Sequence, residues 1–481
     1  MLLGMGCCGP SRRRILGIMA ATAFLPMMGA ARATPARAQS EPMIASDLEV
    51  VTVTATSVIV TWTTVSPTRV DQVGRPFPLD ADTELRLAPA DGTGPPKQVF
   101  HDATPTPFHY AEVHGLEPGR PYRFEAYSDG VRAVTSGSAT SGPNTPETTG
   151  RITVLVPPPG RHLRTIALSN DVHYGEQVSG LVVGGLPPGY SQDPGLPPYP
   201  EVMLTAMLDD LRKDDRRADH LVVAGDLTSE ASQADSQTVR SSLDSWGTLG
   251  TDYFVSRGNH DRPHVGADYA QCRPVPQALD HHDCWGESFV ERQRLLAYEL
   301  GGLRLLGLDT TEMDGSGGSI EPDQMAAIRA ELQRDTDRPT LVFGHHPVTF
   351  ESAITNLSGP GFVLNRGDSS ELQKLYVDAP GVFFHHSGHT HRNKRTKSDT
   401  SAAVEFLEIG AVKEYPGGYT LLSIYEGGYM VNFYKTRSDL ARRWSTRSRG
   451  EFFGLFPEYA FGSLEDRNHV VARDFSGLLP A

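Results

Sequence analysis

Seven short apolar runs, each closed by a polar cluster, constrain this chain more than any other feature. They read TIALSNDVH (165–173), HLVVAGDL (220–227), YFVSRGNHD (253–261), LRLLGLDTTE (303–312), LVFGHHP (341–347), VFFHHSGHTH (382–391) and VEFLEIGA (404–411). Runs this short and this continuously apolar suit strands buried on both faces. Helical patterns lie between some of them, EVMLTAMLDDLRKDD (201–215) and EPDQMAAIRAELQRD (321–335). Strands alternating with helices imply a layered α/β domain, expected over 164–435.

The 481 residues have room for more than one domain. Residues 45–138 follow a different period: SVIVTWTT (57–64) places Val58, Val60 and Trp62 on one face, and ELRLA and YRFEAY repeat the alternation. The spacing Leu116, Pro118, Tyr122 resembles the tyrosine corner of fibronectin type III sandwiches. The region is also similar to the N-terminal sandwich of plant-type purple acid phosphatases, so a small all-β sandwich is expected to precede the α/β domain. A stretch rich in Gly, Ser, Thr and Pro (139–163) reads as a linker. Residues 436–481 form an extension that the pattern does not assign.

Five of the runs end in metal-ligand residue types. They offer Asp171 and His173, Asp226, Asn259 and His260, His345, and His389 and His391. Carboxylate, imidazole and amide oxygen without thiolate suit Mn, Fe, Zn or Ni. Two divalent ions about 4 Å apart can clamp the attacking and leaving oxygens of an in-line displacement at phosphorus. The order D-x-H, GD, GNHD, GHHP, GHTH resembles the calcineurin-like metallophosphoesterase superfamily over about 164–430.

That resemblance implies a four-layer α-β-β-α domain and two divalent ions (Fe, Mn, Zn or similar) bridged by Asp226. One ion would take Asp171, His173 and His391, the other Asn259, His345 and His389. A bridging water that loses its proton near neutral pH would be the nucleophile. His260 matches the residue that contacts phosphate and protonates the leaving oxygen, with Asp261 orienting its imidazole. His389 and His391 are expected to point to one side as alternate residues of an extended segment. His385, His386 and His346 are expected to be packing or outer residues.

Two departures refine the class. Purple acid phosphatases carry tyrosine three residues after the GD aspartate, where this chain has Ser229, and they use D-x-G where this chain has D-x-H. The pattern is closer to cyclic-nucleotide and glycerophospho-diesterases. The expected function is phosphoester hydrolysis, of diesters or monoesters, on a small-molecule substrate. A nuclease of the same superfamily and a non-enzymatic surface protein are the alternatives.

The first 38 residues carry Arg12, Arg13 and Arg14, an apolar stretch and Ala36-Arg37-Ala38, which resembles a twin-arginine export signal with its cleavage site. Export to the periplasm, cell surface or medium is expected. The chain's formal net charge is −14, and this leader contains five arginines and no acid, so the remainder is more acidic still. Such a field disfavours nucleic acid as a partner. After residue 40 no 18-residue apolar run is free of charge or proline, so no transmembrane helix is expected. Cys272 and Cys284 remain after the leader, and an even pair in an oxidising compartment reads as a disulfide, with metal binding beside His281 and His282 as the alternative. Two insertions, 175–200 and about 262–288, are candidate lids. The physiological substrate, the metal and the oligomeric state are not legible in the sequence.

Overall fold

Strands Leu303–Leu308 and Thr340–Gly344 show what the apolar runs build. They pair in parallel, with Leu305 opposite Leu341 and Leu306 opposite Val342. Leu303, Leu305, Leu341 and Phe343 face one core, while Leu306, Leu308 and Val342 face a second. A strand with both faces buried has no polar side, which is why the runs lack alternation.

In this computed structural model the described residues are 41–71, 75–92, 94–136, 144–180, 186–276, 278–452 and 456–481. The leader expected over 1–38 lies outside them. Two six-stranded mixed sheets form the centre of the α/β part. One runs in the order Tyr253–Ser256, His220–Ala224, His162–Ser169, Gly418–Tyr425, Gly428–Lys435, Asn468–Ala472. The other runs Leu296–Leu300, Leu303–Leu308, Thr340–Gly344, Val382–Ser387, Glu405–Glu408, Lys394–Lys397. Their inner faces share a core in which Leu221, Val223 and Leu168 meet Leu305, Phe343 and Phe384. Helices Pro322–Gln333 and Arg366–Val377 cover the outside of the second sheet through Met325, Ile328, Leu372 and Leu375. Helix Tyr199–Asp210 covers the first through Met203 and Met207. The result is the α-β-β-α layering expected from the sequence.

Residues 44–132 make a two-sheet β-sandwich. Trp62 is buried at its centre, stacked on His109 at 4.9 Å, and its indole N–H donates to Ser128 Oγ at 2.9 Å. The Tyr122 hydroxyl accepts from the Glu117 N–H at 3.1 Å, the bond that defines a tyrosine corner. The stretch read as a linker differs from that reading. Strand Arg151–Thr153 pairs with Pro121–Ser128, and Ile152 and Val154 enter the sandwich core.

The C-terminal extension is ordered by the same sheets. Strand Asn468–Ala472 closes an edge, and helix Asp439–Ser448 stacks Trp444 on Tyr199 at 4.0 Å. The insertion around 262–288 folds into a three-stranded sheet and a short helix, joined by the disulfide Cys272–Cys284. Among the described residues no helix is long and apolar enough to cross a membrane.

Candidate metal centre

Strands His162–Ser169, His220–Ala224 and Tyr253–Ser256 are parallel, and so are Leu303–Leu308, Thr340–Gly344 and Val382–Ser387. Their carboxyl ends therefore emerge on common edges, the usual place for a site in an open α/β sheet. The chain turns sharply just past those ends. Asp171, His173, Asp226, His389 and His391 all have positive φ, between 47° and 69°. Left-handed backbone at non-glycine residues is uncommon and collects at functional sites. The glycines of GD and GNHD have steric reasons. Gly225 has φ 84°, and a Cβ on Gly258 would lie 2.2 Å from the Asp226 nitrogen.

The turns bring all seven expected ligands together. Asp171, His173 and His391 present ligand atoms within 4.8 Å of one another, and so do Asp226, His345 and His389. Asp226 joins the groups, its Oδ2 lying 3.4 Å from His173 Nε2 and 3.1 Å from His345 Nε2. His345 Nε2 also faces Asn259 Oδ1 at 3.0 Å and His389 Nδ1 at 3.0 Å. His391 Nε2 lies 3.3 Å from Asp171 Oδ1. Asp171, Asp226, Asn259, His345 and His389 are buried.

The donor set fits divalent cations. His345 Nδ1 donates to the Ala224 carbonyl at 2.9 Å, which leaves Nε2 a lone pair aimed at two oxygens and another imidazole. His173 Nε2, 3.4 Å from Asp226 Oδ2, is buried without a hydrogen-bond partner among the described residues. Acceptors converging on acceptors need a positive charge between them. Burial opposes ionisation of Asp171 and Asp226, yet neighbouring imidazoles hold both carboxyls well below the usual range. Burial also opposes charge on His391, but Asp171 and Glu414 lift it to about 9. Metal binding at imidazole and carboxylate ligands of this kind is coupled to proton release.

His260 sits at the rim of this cluster. Its backbone N–H donates to Asp226 Oδ1 at 2.8 Å, and its Nδ1–H donates to the Ser229 carbonyl at 2.7 Å. Nε2 is thereby left free of that bond, and the ring lies 4.5 Å from that of His173 with a ring nitrogen within 4.8 Å of ligand atoms of His173 and Asp226. Burial is the main reason its pKa falls to about 4. The role expected for Asp261 is corrected by its contacts. Its carboxylate accepts from the N–H groups of Leu227, Thr228 and Gly258 and from Thr228 Oγ1, at 2.7 to 3.1 Å. It shapes the two turns that carry Asp226 and Asn259, while the Ser229 carbonyl orients His260. A second correction concerns GHTH. The segment is not extended, because His389 (φ 69°) and His391 (φ 52°) are both left-handed, and they join different groups.

The other histidines pack or brace. His385 Nδ1 meets the Tyr376 hydroxyl at 2.9 Å, and His386 Nε2 donates to the Ser169 carbonyl at 3.1 Å. His346 lies between Thr310 Oγ1 and the Ser316 carbonyl, and burial lowers its pKa to about 3. Sequence reasoning missed Glu176, Lys413, Glu414 and Phe362. Phe362 stacks on His389 at 3.8 Å. Glu176 and Glu414 stand behind His173 and His391.

A family profile described as calcineurin-like phosphoesterase matches residues 164–393. Residues 164–393 are a calcineurin-like phosphoesterase domain. A probable cyclic nucleotide phosphodiesterase of Synechococcus sp. is 28% identical over 153 residues, which are 31% of this chain and 52% of that protein. The chain thus spans about half the length of that curated relative. Among solved structures, a dimetal phosphatase of Danio rerio covers 58% of this chain and 98% of its own, at 15% identity and TM-score 0.41. A purple acid phosphatase from yellow lupin (Lupinus luteus) seeds covers 91% and 76%, at 13% identity and TM-score 0.42. The phosphoesterase domain contains the strand ends that carry all seven candidate ligands.

Proposed function

We propose that this chain is an exported, dinuclear-metal phosphoesterase that hydrolyses small phosphate esters, with phosphodiesters as the first class to test. The observation that carries the reading is Asp226, whose carboxylate is shared by two convergent ligand groups. The D-x-H motif and the cyclic nucleotide phosphodiesterase relative support the diester preference. The acidic balance supports a small substrate over nucleic acid. Arg12 to Ala38 and the Cys272–Cys284 disulfide support export.

Two divalent ions held by these residues would supply Lewis acidity toward phosphoryl oxygens and a nucleophile from water near neutral pH. The chain's own groups do the rest. Asp226 spaces the two ligand groups and fixes the GNHD turn through the His260 N–H. Asn259 offers a neutral oxygen, so its group carries less negative charge than the Asp171 group. His260, anchored through Nδ1, presents Nε2 to the site, where a bound phosphate favours the protonated ring. That proton can pass to a leaving oxygen.

The test is metal analysis of protein purified without chelator, followed by hydrolysis of bis-p-nitrophenyl phosphate, p-nitrophenyl phosphate, cyclic AMP and a glycerophosphodiester. We expect close to two ions per chain, faster turnover of the diesters, and loss of most metal and activity in Asp226→Asn. Full activity in that variant, or no hydrolysis of any of the four by wild type holding two ions, would overturn the reading.

A further inference from the structure

The two ligand groups are backed differently. His345 is held through Nδ1 by a neutral backbone carbonyl, that of Ala224. His389 is held by stacking on Phe362, and its Nε2 has no hydrogen-bond partner among the described residues. The Asp171 group is backed by charge. His391 Nδ1 donates to Glu414 Oε1 at 2.7 Å, and His173 Nδ1 faces Glu176 Oε2 at 3.1 Å. Both carboxylates gather around one ammonium. Lys413 Nζ lies 2.7 and 2.6 Å from the Glu176 oxygens and 3.6 Å from Glu414 Oε2. Lys413 is 4% exposed and Glu414 2% exposed, so water screens little of this arrangement.

The cluster is also fixed by its backbone. The Lys413 N–H donates to the Asp171 carbonyl at 3.2 Å, and the Lys413 carbonyl accepts from the Trp444 indole at 2.6 Å. Ser179, at the start of the Gly/Pro-rich insertion, donates to Glu414 Oε2. Two carboxylates this close would repel and swing apart without a cation between them. Lys413 gives them a reason to stay, and each then holds one imidazole.

We propose that Glu176 and Glu414, clamped by Lys413, are positioning residues that fix the ring orientation and tautomer of His173 and His391 toward the ion of the Asp171 group. This rests on the dinuclear reading above. A carboxylate behind a ligating histidine fixes the ring and its tautomer, and its loss typically weakens metal binding about 10–100-fold. Among the described residues no such carboxylate backs the other group, so the effect is confined to one of the two ions.

The experiment is metal binding to the apo-protein, followed by calorimetry and by equilibrium dialysis with Mn²⁺ or Zn²⁺. The variants are Glu414→Ala, Glu414→Gln and Glu176→Gln, with thermal melting of the apo forms as the folding control. Wild type is expected to bind two ions. Glu414→Ala should keep one ion at wild-type affinity and weaken the other about 10–100-fold. Glu414→Gln and Glu176→Gln, which keep an oxygen acceptor for His391 Nδ1 and His173 Nδ1, should weaken that same ion by less. Two ions bound as in wild type would overturn the proposal, and so would equal weakening of both. Wild type that binds fewer than two ions would instead sink the dinuclear reading, which keeps the two failures distinct.

Discussion

Removing the disulfide should loosen one loop while leaving the anchor beneath it in place. Cys272 and Cys284 lie 12 residues apart. The chain-entropy relation gives about 3 kcal/mol for closing a loop of that size, a factor on the order of 100 in an opening equilibrium. The C-terminal end of the insertion has a separate hold. The Arg257 guanidinium donates to both Asp283 oxygens at 2.7 and 2.8 Å and to the Asp261 carbonyl at 2.8 Å, and it lies 4.5 Å over the Trp285 ring. Arg257 and Trp285 are buried, and breaking such a pair costs about 3–5 kcal/mol. The clamp is thus at least as strong as the cross-link, so the loop should open between Gly266 and His282 and stop at Asp283. The assay is amide hydrogen exchange on Cys272→Ser/Cys284→Ser against wild type. Exchange of the amides that pair His264–Val265 with His281–His282 should speed up by about 100-fold, while Tyr253–Ser256 stays protected. Metal content should not change. Unchanged exchange in the loop would refute the cross-link's role, and faster exchange in the central strand would refute the clamp's.

Two further outcomes are expected. His260→Asn should keep near-normal metal content and lose far more rate on an alkyl phosphodiester than on an aryl one, by about 10²–10⁴ against a smaller loss; equal losses would remove the acid role. His109 lies buried between Thr64, Thr83 and Ser128 in the sandwich, and burial lowers its pKa to about 3. The folded state holds the neutral ring, so the stability it contributes is complete above pH ~6.5 and is lost as pH falls toward about 3, with a slope up to about 1.4 kcal/mol per unit. His109→Gln should flatten urea midpoints measured across that window, and parallel curves for the two proteins would contradict this.

The central strands were legible because burial on both faces leaves a mark on composition: Leu305 and Leu306 are both apolar since each faces a core. The ligands were legible because each closes such a run. What lay behind them was not. Glu414 follows VEFLEIGA by three residues, yet nothing in a Lys-Glu pair says that it reaches His391, 23 positions earlier. The one local signal was Glu176, three residues after His173 in the D-x-H turn. The extended GHTH segment failed as an inference because period-two reasoning holds only inside a strand, and the strand ends at Ser387. Asp261 failed because adjacency to His260 says nothing about direction, and its side chain turns back under the strand ends.

The sandwich and the C-terminal extension, which carry none of the candidate ligands, are tied to the charged network behind the site. Thr52 Oγ1 donates to the Phe433 carbonyl at 2.6 Å, and Asn432 returns a bond to the Val53 carbonyl at 2.8 Å. From the same sandwich strand, Glu49 accepts from the Tyr415 hydroxyl at 2.7 Å and pairs with Lys435 and Arg449. Burial opposes charge on Glu49, but those two cations hold its pKa at about 2. Tyr415 is the neighbour of Glu414, and Trp444 of the extension holds the Lys413 carbonyl. Lys413 to Tyr415 is therefore gripped from three sides: by the sandwich, by the extension and by the Asp171 turn. Left-handed ligand residues cost of order 1–3 kcal/mol each and persist only where the surroundings over-determine them. A short segment with anchors this widely separated in sequence supplies that constraint, which gives the β-sandwich fused to the sheet's edge a part in holding the candidate ligands.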